Sequence, residues 1–198
     1  MQRSLFTLAA AAFVAALLVP AALAARVSVR VEGRTTTIFG ALETPFEAGA
    51  NALQALDAAS LRAEFYYHVT TTSFGPYVDQ VGRYPAGGTN GWVFKVNGAS
   101  PPVGADKVVL QNGDRVLWYW ATFGPSGGPP TLLLTRSRRN CYRVMSENDA
   151  GADTPAAGAI LHVDRRRVRT RAGRGCVGRH TGLVRATLTG AVRSNALR

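Results

Sequence analysis

Lysine is nearly missing from this chain. Lys95 and Lys107 are the two instances, and every other basic residue is arginine. With its heavy load of alanine and glycine, the chain reads as the product of a GC-rich coding sequence, which explains many of the arginines without any functional demand. Histidine is scarce as well. His68, His162 and His180 are scattered, without the spacing to cysteine or carboxylate that a zinc site needs, so no metal centre is expected. No G-x-S-x-G, phosphate loop or dinucleotide fingerprint occurs. The Gly-rich "GGTNG" has no helix behind it and reads as a hairpin loop. Asp79, Asp106 and Asp114 fall at turns, where a turn role outweighs acid–base work. No catalytic residue and no cofactor is expected, and the chain is read as not an enzyme.

Long apolar runs are absent apart from one, "LFTLAAAAFVAALLV" (Leu5 to Val19). Arg3 precedes it, Pro20 breaks it, and Ala22-Leu23-Ala24 follows as a small-residue cleavage site, the layout of a secretory signal peptide. The run is short for a span, which takes ~20 apolar residues. Residues 1–24 are expected to be a signal peptide, the mature chain to start near Ala25, and the product to be secreted with no membrane span after cleavage. Cysteine is limited to Cys141 and Cys176. In an exported chain a disulfide between them is the default. It would close a loop of about 35 residues and contribute roughly 3–4 kcal/mol on the chain-entropy account. Two free buried thiols are the alternative.

Charge is unevenly spread. Residues 25–126 carry eight basic and eight acidic residues, whereas residues 127–198 carry fourteen arginines and four acids. The break falls at the Gly/Pro-rich "FGPSGGPPT", which reads as a linker. The expected organisation is therefore one module over 25–123, a linker over 124–130 and a second module over 131–198.

In the first module, "RVSVRVEG" alternates Val27, Val29 and Val31 with polar residues, the pattern of a half-buried strand. "NALQALDAASL" is the one clear helix, with Asn51 as N-cap and Gln54 as its capping-box partner. "GWVFKVNG" is a strand closed by an Asn-Gly turn. "ASPPVGADKVVL" is an extended return that Pro101 and Pro102 keep out of a central ladder. "RVLWYW" is the last strand, with Val116, Trp118 and Trp120 on one face and Leu117 and Tyr119 on the other. The order "GWVFKVNG", "PVGAD", "LQNGDRVLWYW", with "VSVRVEG", "ALQALDAA" and "FGPYVDQVGRY" upstream, resembles the transcobalamin-like C-terminal domain. In bacteria that family is a small secreted domain of unknown function. The resemblance implies an α+β fold with a β-grasp-like, mostly antiparallel sheet on one helix. It also implies kinship with domains that cap cobalamin or bind other soluble ligands.

The second module reads as a small all-β sandwich built from "TLLLT", "CYRVMSE", "GAILHVD", "RRVRT", "GLVRATL" and "RSNAL". It is similar to bacterial Ig-like and carboxypeptidase-regulatory-like modules. Asp164-Arg165 stands where that pattern has Asp-Gly, and because positive φ disfavours arginine, a different turn type is expected there. Tyr142 is the module's only aromatic residue, so the stacking platform of a single-strand binder is missing. That lack and export both argue against nucleic acid. A solvated basic face, or one that meets an anionic cell-wall polymer or glycan, fits better.

The candidate ligand contacts are Trp92, Asn97, Tyr119 and Trp120. The competing reading makes Trp92 and Phe94 part of a packed aromatic cluster with Trp118 and Trp120. Trp92 follows a Gly-rich loop and is the best candidate for a half-exposed contact. The function expected is a secreted, non-catalytic binding or adhesion protein for an extracellular ligand or cell-surface polymer. The alternative is a soluble-ligand, cobalamin-like binding protein.

Overall fold

The computed structural model describes residues 24–125 and 127–198. The fold is mostly β, with one helix and several sheets. The expected signal peptide lies outside the described residues.

A mixed sheet organises the first half. Its strands run β2 (Thr37–Phe39), β1 (Arg26–Glu32), β8 (Arg115–Thr122) and β7 (Asn90–Val96), with β3 (Phe46–Glu47) also on β1. β1 and β8 are parallel neighbours, with Val29 opposite Val116. β7 and β8 form an antiparallel pair, with Trp92 opposite Trp120 and Phe94 opposite Trp118. Asn97 and Gly98 both take positive φ between β7 and the return. One face of the sheet, bearing Val27, Val29, Val31, Val116 and Trp118, packs on α1 (Ala52–Ala63) through Ala52, Ala55, Leu56 and Ala59. Small alanines let the helix axis lie close. The side chain of Asn51 accepts from the Gln54 N–H at 2.9 Å, and Gln54 Oε1 accepts from Ala50 N–H at 2.7 Å, one residue before the cap it was expected to reach. A small sheet of β4 (Tyr67–Thr72), β5 (Gly75–Val81) and β6 (Tyr84–Pro85) completes this side, and Val78 and Val81 enter the same core.

Two four-stranded sheets make up the second half. One holds β9 (Thr131–Arg138), β10 (Cys141–Glu147), β11 (Asp153–Pro155) and β14 (Arg174–Cys176). The other holds β12 (Ile160–Val163), β13 (Arg166–Arg169), β15 (Val184–Thr187) and β16 (Ala196–Leu197). They share one core, where Leu132, Leu134, Tyr142 and Val144 meet Leu161, Val163, Val184 and Ala186. β11 and β14 carry no sequence pattern that announces them. Cys141 and Cys176 are directly opposite on β10 and β14 and form a disulfide. Asn195 clips the last strand in place, with Oδ1 accepting from Leu134 N–H at 2.8 Å and Nδ2 donating to Leu134 O at 3.1 Å.

The turn at Asp164-Arg165 departs from expectation. Both residues take positive φ, 45° and 64°, the geometry that usually selects Asn-Gly or Asp-Gly. The Asp164 carboxylate accepts from the N–H groups of Thr181 and Gly182 at 3.2 and 2.9 Å. Those bonds offset the cost of holding Arg165 in the left-handed region.

The second face of the mixed sheet is not solvated. β1 is buried on both faces, so the half-buried strand read from its alternation is corrected. Leu117, Tyr119, Ala121 and Val93 pack with Val192 from the second half. Glu32 is 1% exposed. Its carboxylate pairs with Arg185, and with Arg193 Nη2 at 2.9 Å and Nε at 3.1 Å; it also accepts from Thr37 Oγ1 at 3.0 Å. Arg30 lies 3.5 Å from the same carboxylate and 2.8 Å from Glu43 Oε1. Lys95 is fully buried. It donates to the carbonyls of Glu147 and Asn148 at 3.1 and 2.8 Å, and Asp149 lies 3.6 Å away. Burial pushes the Lys95 ammonium below its usual value, and the two carboxylates oppose that shift. Gly98 takes a φ of 90°, which favours glycine, and a Cβ there would sit 2.7 Å from Glu147 Oε1.

Candidate functional site

β7 is an edge strand. The Asn97 N–H donates to Arg115 O across the β7–β8 pair, so the odd residues of β7 turn their backbone towards β8. Trp92 and Phe94 therefore turn their N–H and C=O groups the other way. Asn90 and Val96 bond to Gly87 and Ala99 on that free side. Among the described residues, no hydrogen bond to the backbone of Trp92 or Phe94 closes the stretch between them.

A cleft of about 330 Å³ wraps this free edge. Its walls come from separate parts of the chain: Pro76, Tyr77 and Val78 of β5, then Pro101, Gly104 and Ala105 of the return after β7. Val93, Phe94, Trp92, Trp118 and Tyr119 form the floor, Phe123 flanks it, and Asp149 reaches in from the second half. The lining is apolar and aromatic, and its polar features are the Asp149 carboxylate, the Ser100 hydroxyl, the Tyr77 and Tyr119 phenols and the strand edge. The Pro-Pro sequence that keeps the return from pairing with β7 is what leaves the edge open.

The sequence-derived candidates divide here. Trp92 lines the cleft but is 2% exposed, and its Nε1 donates to Tyr84 O at 2.8 Å. The expected half-exposed contact is therefore a buried residue. It packs 5.8 Å from Trp120, and Phe94 stacks 5.0 Å from Trp118, so the aromatic-cluster reading holds. Tyr119, also expected as an exposed contact, is 1% exposed at the cleft floor. Burial pushes its phenol well above the usual value, and the nearby Asp149 carboxylate adds to the shift. Trp120 is half-buried and opens on a different depression, beside Arg34, Pro129 and Val192. Asn97 is exposed and outside the cleft lining. Its side chain donates to Asp114 Oδ1 at 2.7 Å and accepts from Arg115 N–H at 2.9 Å, which is turn work. Tyr77 and Phe123, at 37% and 40% exposure, are the aromatic rings at the mouth. Sequence reasoning passed over both, since neither follows a strong strand pattern.

Residues 49–122 match a family described as Domain of unknown function (DUF4430). The matched stretch contains α1, β7, β8 and most of the cleft wall, and omits β1, Phe123 and Asp149. No curated protein matches the chain.

Among the described residues, no cluster of three or more His, Cys, Asp or Glu side chains is placed to hold a metal ion. His68 pairs with Asp79 at 2.7 Å, His162 with Thr187, and His180 with Tyr142. No helix among the described residues is long and apolar enough to cross a membrane.

Proposed function

We propose that this chain is an exported, non-catalytic binding protein, and that its ligand is a small apolar or planar molecule taken into the cleft on the free edge of β7. The observation that carries this reading is the cleft itself: aromatic and apolar walls with a few convergent polar groups are the usual make-up of a ligand site. A volume of about 330 Å³ suits a compact ligand, or one flat portion of a larger one. The soluble-ligand reading is thereby favoured over simple adhesion. The open N–H and C=O groups of the β7 edge call for a ligand with matching donors and acceptors at its rim.

The domain reading stands beside it as a proposal. The central parallel pair β1–β8, flanked by β2 and β7 and packed on α1, supports a β-grasp-like module over 25–123. The two sheets sharing one core support an Ig-like sandwich over 131–198. The pattern of residues 1–24 supports export, and amino-terminal sequencing of protein from culture medium should begin within two residues of Ala25. Recovery of intact Met1 there would remove that part.

All tryptophans lie in the first half, and Trp92 and Trp118 line the cleft, so tryptophan fluorescence reports on it directly. Small planar ligands and glycans should be titrated against the full chain and against Tyr77→Ala/Phe123→Ala. The variant truncates two partly exposed rings, so its unfolding midpoint should be near that of the parent. A hit that quenches the parent and binds the variant at least tenfold more weakly supports the cleft. Equal affinity for both proteins would refute it.

A further inference from the structure

Three of the four acids of the second half are already engaged, and the fourth, Asp153, is exposed. Glu147 and Asp149 face Lys95 and Arg115 at the junction with the first half. Asp164 is held by two backbone N–H groups and by Arg166 at 3.6 Å. Asp153 is on β11, opposite Glu147 at the far end of β10. Arg185 and Arg193 are spent on Glu32. On the β10–β14 face the balance is different. Arg143 and Arg174 are direct cross-strand partners, and both are exposed. Two residues along each strand on the same side sit Cys141 and Cys176, joined by the disulfide. Exposed Arg138 lies on the neighbouring strand opposite Cys141. Arg138, Arg143 and Arg174, with the disulfide, line a cavity of about 380 Å³. Among the described residues none of these three arginines is in an ion pair.

Like charges directly opposite on paired strands destabilise the pair. Composition can supply many arginines, but it does not place two face to face beside a third with every acid elsewhere. The covalent rung next to them holds β10 and β14 together against that repulsion. A tetrahedral oxyanion between the guanidinium groups would turn the repulsion into paired, bidentate contacts. We propose that the β10–β14 face binds an anionic polymer through its phosphate or sulfate groups, independently of the cleft. A non-nucleic polymer is favoured, because Tyr142 is buried in the core and leaves no ring on this face for a base to stack on.

Inorganic polyphosphate, heparin and single-stranded DNA should each be titrated against the full chain over a range of salt. Polyphosphate or heparin is expected to bind with a salt-dependent affinity, and which of the two binds more tightly tells phosphate from sulfate. Arg143→Ala/Arg174→Ala should weaken that binding at least tenfold at low salt and reduce the slope of log K against log salt by about 1.5. Its unfolding midpoint should stay level or rise, since repulsion is relieved. Arg165→Ala/Arg167→Ala, in the β12–β13 turn and on β13, should leave the slope near the parent value. Equal losses from the two double variants would show diffuse attraction by net charge and overturn the site. Tighter binding of DNA than of either other polymer would overturn the choice of partner.

Discussion

Replacing Glu32 with alanine is expected to remove about 3–5 kcal/mol of stability, the range for breaking a buried ion pair by deleting one partner. Among the described residues the carboxylate is the only acid in an ion pair with Arg185 and Arg193, and it shares Arg30 with Glu43. Arg30 is buried, and the other two are largely covered. Without Glu32 their charges stay in a low-dielectric seam with a single carboxylate at its edge. Arg193→Ala should cost less, because its carbonyl bonds to Gly33 and Arg34 are peripheral and Glu32 keeps Arg185. The assay is urea unfolding with linear extrapolation, run on both single variants and the double. Removing both partners should cost less than the two single losses together, with a coupling of about 1–3 kcal/mol. The network joins the two halves, but Leu117, Tyr119 and Ala121 still pack with Val192, so Glu32→Ala should keep one cooperative transition and move it to lower urea. A loss below about 1 kcal/mol with a single unchanged transition would refute the argument that the seam is dry and charge-balanced.

Other expectations follow from the same contacts. Trp92→Ala should destabilise by about 3–5 kcal/mol, as for a buried aromatic, and thermal unfolding with no change in midpoint would return Trp92 to the ligand contacts. Reducing the Cys141–Cys176 bond should lower stability by roughly 3–4 kcal/mol, read as the shift in urea midpoint with and without reductant. In an alkaline absorbance titration, Tyr67 should ionise late. Burial and the Asp57 carboxylate push its phenol from the usual 10 up to about 12, so the fold prefers the neutral form. That contribution is complete below pH 10 and is lost as pH rises through about 12. Tyr67→Phe should remove the step near pH 12 while leaving the still later ionisation of Tyr119, and an unchanged titration curve would contradict the assignment.

What was legible in the sequence was local. Asn51 and Gln54 mark the helix start because a cap acts within a few residues. "GWVFKVNG" and "RVLWYW" announce a hairpin-like pair because their alternation has period two and Asn97-Gly98 suits a tight turn. The resemblance reached the region that matches the family of unknown function. The cleft is not legible, because its walls come from β5, the Pro-Pro return and Asp149, spread over more than seventy residues of chain. Trp92 was misjudged because a Gly-rich loop before it suggests exposure, whereas Tyr84 and Trp120 close over the ring.

The larger miss is more instructive. Ser28, Arg30 and Glu32 alternate with valines, and alternation of that kind ordinarily means one wet face. A polar residue at such a position says only that its side chain needs polar company. Water is one source and a distant arginine is another. Here the company is Arg185 and Arg193, more than 150 residues away, and Lys95 finds the backbone carbonyls of Glu147 and Asn148 in the second half. The two halves separate cleanly by charge count, yet the few charges that define their junction are the ones the count treats as surface. Independent folding of residues 25–126 would require Glu32 and Lys95 to face water beside Leu117, Tyr119 and Val93, an apolar patch that the second half otherwise covers. Composition can mark where a linker falls. Whether the segments on either side stand alone depends on which face each one leaves unpaired.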